Sequence, residues 1–353
     1  MSRIDCNKEM TSYHANKVTL PKSEQDEMRD RRDNGRTRLK NGLNKEGHAL
    51  PRESSSQGSY AMRTMVQDDD CDYDIDDGVY FEKDDLKAAD GTYLTAKDAR
   101  ARVRKALKDN RLTYDAQIKT NCVRQKYPAG YHIDIPVYRI ISPKDIFWYV
   151  LVEYELASGE EWIKSDARAV TKWYNDAIGR ELKTGETDYS QTRRVTKLTK
   201  KFARSRTAWK GQTTSGICIS KLVVDHIKTV AGRDDDALRD TWKAIKARLD
   251  ITLQIDHPVL QGKKLAEGDD EGVRFFSDCL AGALKKLEVL DEPGCTCEKA
   301  LKAWDSVFNT GYFSGQLNTS QAAAKSLLQP AVAATGLTFP SKPIMPNKSS
   351  GFA

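Results

Sequence analysis

The chain has 353 residues, 39% hydrophobic and 31% charged, which suits a soluble protein built as one large or two intimate folded units. No stretch approaches the roughly 18–20 uninterrupted apolar residues of a membrane span, and the opening "MSRIDCNKEM" lacks a signal-peptide core, so a cytoplasmic protein without a membrane partner is expected. A net charge of +6 is too mild to imply nucleic acid, and seven cysteines (Cys6, Cys71, Cys122, Cys218, Cys279, Cys295, Cys297) in no framework spacing read as reduced thiols rather than disulfides or a zinc site.

In chain order, residues 1–20 read as irregular. A charged helix is predicted from Ser23 to about Leu43, opened by Ser23 and early acids, interrupted at Gly35 and stopped near Gly42. "HALPRESSSQGS" reads as a loop from its Pro, Ser and Gly content. "YDIDDGVYF" alternates, with Tyr73 and Ile75 on one face and Asp72, Asp74 and Asp76 on the other, which predicts a strand. "AKDARARVRKALKDN" predicts a helix. "YHIDIPVYRII" alternates again, Ile133, Ile135 and Val137 opposing His132, Asp134 and Pro136, and "IFWYVLVEYEL" is a further apolar strand. Beyond about Lys164 helical spacing covers 166–182, 190–205, 215–231, 235–249, 271–290 and 297–308. The class expected is α+β: a mixed-sheet unit at 21–165 with its long N-terminal helix, a helical unit at 166–315, and a C-terminal helix with a flexible tail at 316–353.

Charge is distributed unevenly. Seven of the ten residues from Asp68 to Asp77 are aspartates, whereas "QTRRVTKLTKKFARSRTAWK" from Gln191 to Lys210 holds eight Lys or Arg and no acid. A protein that holds a metal-bound polyphosphate needs both, although a solvated helix face accounts for the basic segment taken alone. Asp74 and Asp76, at i and i+2 on a strand, project from one face about 7 Å apart. Carboxylates so placed repel unless a cation lies between them, and hard divalent ions prefer oxygen ligands. Asp134, flanked by core-facing isoleucines, is the third carboxylate that would complete a two-ion site for phosphoryl or nucleotidyl transfer. An EF-hand fails: counted from Asp72, glycine falls seventh and Lys83 stands where a bidentate glutamate is required. Asp68, Asp69, Asp70 and Asp72 read as a plain acidic loop. Gly58-Ser59, some fifteen residues before the Asp-x-Asp strand, is a pair whose backbone amides and hydroxyl suit phosphate oxygens.

"QGS" at Gln57 to Ser59, "DIDDGVYF" at Asp74 to Phe81 and "HIDIPVY" at His132 to Tyr138 resemble the bacterial cGAS/DncV-like nucleotidyltransferases (CD-NTases) of anti-phage signalling, within the DNA polymerase beta-like superfamily. The helix "MRDRRDNGRTRLKNGL" is similar to the family's long N-terminal helix, and the likeness covers roughly residues 20–310. It implies a mixed-sheet nucleotidyltransferase lobe facing a helical lobe across a cleft. Asp74 and Asp76 would bind two Mg²⁺ ions (Mn²⁺ a substitute), and Asp134 would help to activate the attacking ribose hydroxyl. Gln57, Gly58 and Ser59 would touch the donor triphosphate. A lysine and, about fourteen residues on, a serine would grip it from the helical side: Lys201 and Ser215 fit, with Lys200 and Thr214 as rivals. Tyr60 and Tyr131 are base-stacking candidates, against the commoner use of such rings as core. The implied activity is synthesis of a cyclic di- or trinucleotide, a cyclic GMP–AMP by this expectation, from ATP and GTP with release of pyrophosphate, the product acting through a downstream effector. No zinc cluster like that of the animal DNA sensor is present, so no obligatory nucleic acid is expected. A ubiquitin-ligase-like partner acting on the C-terminus at Ala353 is implied by related operons. The alternatives are a relative that extends RNA or nucleotidylates a protein, and a non-catalytic nucleotide-binding module.

Overall fold

The alternation in "DIDDGVYF" is realised as β2 (Asp74–Glu82), the strand on which a mixed eight-stranded sheet is built. The computed structural model describes residues 4–68, 74–141, 152–179 and 190–317. Along one edge of β2 run β5 (His132–Ile135) and β6 (Val137–Ile141), both parallel to it and both in one register: Asp74 lies beside His132, Asp76 beside Asp134 and Val79 beside Val137. They form a single extended run broken at Pro136, which has no N–H to give the ladder but whose carbonyl accepts from the Val79 amide at 2.9 Å. β1 (Glu53–Gln57) lies antiparallel to β2, with Gln57 beside Asp76. β4 (Val123–Lys126) pairs antiparallel with β5 and β7 (Glu153–Ser158) with β6, and β3 (Gln117–Ile118) and β8 (Glu161–Lys164) complete the sheet outside them.

Successive side chains on a strand face opposite ways. Ile75, Val79 and Phe81 of β2 therefore join Leu39 and Leu43 of α2 (Lys22–Lys45) and Ala99 and Val103 of α4 (Ala96–Ala106) in one buried cluster. The two helices cross at Gly42, where any Cβ would collide with the Ala106 carbonyl. Asp77 also faces α2; it is 2% exposed and receives the Arg36 guanidinium at 2.7 Å, so the buried charge is compensated. The opposite face of β2 carries Asp74, Asp76 and Tyr80.

A second buried cluster gathers the helices of the C-terminal half: α6 (Gln191–Ala203), α7 (Gly216–His226), α8 (Asp234–Ile251), α9 (Glu271–Lys286) and α10 (Cys297–Phe308), around Phe202, Trp242, Phe276, Trp304 and Phe308. Their starts are written in sequence. Ser190, Ser215, Asp270 and Thr296 each accept the backbone N–H three residues on, at 3.3, 3.4, 2.8 and 3.2 Å. α3 (Gly58–Ala61) and α5 (Ala167–Gly179) lie between the two clusters, sharing a small one made of Met62, Tyr174 and Ile178.

Two readings of the sequence are corrected. Residues 7–18 are helical, as α1 (Asn7–Tyr13) continued by a π-turn over His14–Val18. No side chain caps α1; Cys6, Met10, Tyr13 and Val18 bury themselves in the C-terminal cluster, and that packing holds a helix too short to stand alone. "ESSSQ" is strand β1 rather than loop, because β2 supplies a ladder that local composition does not announce. The predicted Asp69, Asp70 and Asp72 loop residues, part of "IFWYVLVEYEL", and most of the C-terminal helix and tail with Ala353 lie outside the described residues. Among the described residues no helix is long and apolar enough to cross a membrane.

Candidate active site

The register fixes a two-by-two patch on one face of the sheet: Asp74 and Asp76 on β2, with His132 and Asp134 opposite them on β5. Oxygens of Asp74 and Asp134 and a nitrogen of His132 all lie within 4.8 Å of one another. Burial, then the charge of Asp134, raises the Asp74 pKa; burial, then the charges of Asp74 and Asp134, raises that of Asp76 well above the carboxylate range. Such a set is held at a cost that a divalent cation would offset, and its oxygen donors suit one. Asp134, 5% exposed, is also held by Arg124 of β4, whose Nε donates to Oδ1 at 2.8 Å and Nη2 to Oδ2 at 2.7 Å.

β1 delivers the chain to this patch from the other side. Gly58 has φ +64°, and a Cβ there would strike the Asp76 carboxylate, so two independent constraints call for glycine. Gly58, Ser59, Asp74 and Asp76 line a cavity of about 420 Å³ whose far wall is Lys200 and Arg204 from α6 and its end, and Ser215, Gly216 and Ile217 from the start of α7. Ser215 is the N-cap of α7, so that helix aims its free amides and positive dipole end into the cavity. Lys200 is 6% exposed and its ammonium donates to Thr64 Oγ1 at 2.8 Å; burial, then the Arg204 charge, lowers its pKa to about 7. A buried cation with no carboxylate in contact among the described residues, beside a helix N-terminus and three acids, is the electrostatic outline of a metal–polyphosphate site.

The sequence-predicted residues are not all brought together. Gly58, Ser59, Asp74, Asp76, Lys200 and Ser215 share the cavity. Lys201, the first choice by spacing, turns away to the Gln67 carbonyl at 2.9 Å, since adjacent residues on a helix face different ways. Thr214 lines a neighbouring cavity with Asp270 and Phe275. Gln57 lies behind the site, donating to the Tyr138 hydroxyl at 3.0 Å and accepting from that of Tyr80 at 3.1 Å, the two rings being stacked at 4.5 Å. Tyr131 is 4% exposed with its hydroxyl on Glu27 at 2.9 Å, and Tyr60 lies beneath the Arg32 guanidinium, so neither ring lines the cavity. Sequence reasoning missed Thr64, Arg204, Asp166 and His257 as lining residues, and Arg124 as partner of Asp134. Arg204 alone had a usable signal, standing four residues after Lys200 on one helix face.

Residues 53–138, which span β1 to the start of β6, match the family model for the cyclic GMP-AMP synthase DncV-like nucleotidyltransferase domain. That segment of the chain is similar to the DncV-like nucleotidyltransferase domain. All three motifs on which the resemblance was read fall inside it, and the enzyme class they pointed to is that of this domain. Beyond the DncV-like segment, a cyclic AMP-AMP-AMP synthase of Acinetobacter sp. is 28% identical over 269 residues, 71% of this chain and 71% of that protein. The fold agrees as well. Vibrio cholerae DncV cyclic AMP-GMP synthase, solved with the linear intermediate 5' pppA(3',5')pG, superposes at TM-score 0.67 and 18% identity over 87% of this chain and 96% of its own. The Bradyrhizobium diazoefficiens CD-NTase CdnG, solved with GTP, does so at 0.65 and 17% over 91% and 100%. The α+β reading is borne out.

Proposed function

We propose that this protein is a metal-dependent cyclic oligonucleotide synthase that joins ATP and GTP into a cyclic di- or trinucleotide, releasing pyrophosphate, as an anti-phage second messenger. The observation that carries the reading is the meeting, in one cavity, of the Gly58-Ser59 turn, the Asp74–Asp76 pair, the buried Lys200 and the N-terminus of α7. Two divalent cations, Mg²⁺ with Mn²⁺ as substitute, would be held by Asp74, Asp76 and Asp134, and when bound they stabilise charge on the attacking and leaving oxygens.

The chain's own residues do the rest. Gly58 lets backbone and phosphate oxygens approach beside Asp76, and Ser59 offers a hydroxyl. Lys200, Ser215 and the α7 amides take the β- and γ-phosphates, fixing the donor so that its α-phosphorus faces the sheet. Asp134, oriented by its two bonds from Arg124, accepts the proton of the attacking ribose hydroxyl. Closure of the linear product requires it to turn over in the same site, with its free hydroxyl brought to where the first one reacted. The named chemistry of the Acinetobacter relative makes an all-adenine ring the second reading beside cyclic GMP–AMP. The product would act through a downstream effector, and the reading of Ala353 as a conjugation point stands on the resemblance alone.

The test is incubation of the full chain with all four labelled nucleoside triphosphates and Mg²⁺, followed by phosphatase, chromatography and mass spectrometry. A phosphatase-resistant cyclic species, absent in Asp74→Asn/Asp76→Asn, is expected and names the bases. Lengthened RNA or labelled protein instead would reassign the acceptor. Nucleotide binding without turnover under any acceptor would leave only a binding module.

A further inference from the structure

The imidazole of His132 has no part in the mechanism above, yet it is the fourth corner of the reactive patch. It is 6% exposed, stands directly across the ladder from Asp74, and shares a face with both carboxylates. Its Nε2 lies 3.8 Å from Asp74 Oδ2 and 3.8 Å from Asp134 Oδ2. Those separations are too long for a hydrogen bond to either oxygen. They fall between the roughly 3 Å of adjacent and 4 Å of opposite ligands on one cation with bonds of about 2.0–2.1 Å, so a small rotation of the side chains brings all three groups onto one ion. Asp134 Oδ2 already accepts from Arg124, but a carboxylate oxygen has a second lone pair to turn toward an ion.

We propose that His132 is a direct nitrogen ligand of one of the two cations, so that this position is an Asp–His–Asp site selecting Mn²⁺ or another imidazole-binding divalent ion over Mg²⁺. The reasoning is one of donor chemistry. Mg²⁺ takes oxygen almost exclusively, whereas first-row transition ions accept imidazole with rising affinity along the Irving–Williams series. A carboxylate-only trio would leave the choice of ion to supply; a buried imidazole facing two carboxylates biases it. The proposal rests on the metal-dependent reading above and names the ion for one of its positions.

Pulsed EPR of the full-length protein loaded with Mn²⁺ reads the bond directly, because a coordinated imidazole imposes ¹⁴N modulation on the echo. The expected result is ¹⁴N modulation that is lost in His132→Phe and kept in His257→Gln, the latter removing the imidazole that lines the cavity. Mn²⁺ affinity should fall roughly tenfold or more in His132→Phe, at least what loss of an outer-sphere partner costs, while Mg²⁺ affinity, read by competition, changes much less. Bound Mn²⁺ without ¹⁴N modulation in the unmodified protein overturns the proposal and leaves the synthase reading intact. Modulation that survives in His132→Phe and vanishes in His257→Gln overturns it in favour of His257. If Mn²⁺ binding is indifferent to Asp74→Asn/Asp76→Asn, the metal-dependent reading falls and this proposal with it.

Discussion

At the scale of single residues, the site is decided by neighbours one atom apart. Gly58→Ala forces a methyl group into the Asp76 carboxylate at a φ that L-residues avoid. About 1–3 kcal/mol of backbone strain follows, and the turn can escape it only by leaving Asp76. Nucleotide affinity by isothermal calorimetry is expected to fall at least tenfold while the far-ultraviolet circular dichroism is unchanged. Lys200→Met and Lys201→Met separate the two lysines. The first removes a buried charged donor worth about 1.5–3 kcal/mol to a phosphate, a loss of roughly ten- to a hundredfold in affinity; the second, whose ammonium is on the Gln67 carbonyl, should stay within about threefold. Equal losses would sink the assignment. The Asp-x-Asp pair, the third aspartate and the Gly-Ser turn were legible because strand alternation and short-range turn chemistry are local. The choice of Lys200 over Lys201 was not, since one helix step decides it and only the docked helix shows which step faces the cavity.

At the scale of elements, strands declared by alternation appear where the sequence puts them, α2 starts behind Pro21 without a Ser23 cap and runs unbroken through Gly35, and α1 and β1 do not announce themselves. Each of these two depends on a partner outside its own segment: α1 on the C-terminal helices, β1 on β2. Arg124 belongs to the same class, because nothing in "VRQK" distinguishes a surface arginine from one whose cross-strand neighbour is Asp134. The docking of α1 carries a pH signature through His14, which is 7% exposed in the π-turn and faces Lys197, Arg194 and Asp234. Burial, then the Lys197 charge, lowers its pKa from 6.5 to about 3. The unfolded chain therefore binds the additional proton between those values, so the stability is fully present above pH 6.5 and is lost as the pH falls toward 3. Between pH 7 and pH 5 the loss from this group is about 2 kcal/mol. His14→Asn should flatten that part of the pH dependence of Tm; an unchanged slope would show that His14 does not set it.

For the whole molecule, the cavity is assembled from the sheet and from the helices, so its occupant touches both. The segment after α3 ties them further: Val66 is buried in the helical cluster, Thr64 receives Lys200, and Gln67 donates to the Thr19 carbonyl at 2.6 Å while its own carbonyl takes Lys201. A nucleotide with its metal should stabilise the folded chain by mass action, about 2.7 kcal/mol at a hundredfold excess over Kd. The expected Tm rise requires nucleotide and divalent ion together and disappears in Asp74→Asn/Asp76→Asn; a rise with nucleotide alone in that variant would place binding elsewhere. The continuous run of β5 and β6 alongside β2 has one more consequence. The spacing of the reactive side chains is set by backbone hydrogen bonds of a parallel ladder, and the 49 residues, 83–131, that lead from one strand to the other reach the patch through Arg124 of β4, which holds Asp134. Chain ends could be relocated by circular permutation into the stretch between α4 and β3, away from Arg124, with the chemistry preserved. A single residue inserted between Ile133 and Pro136 would instead turn half the patch to face the opposite side of the sheet.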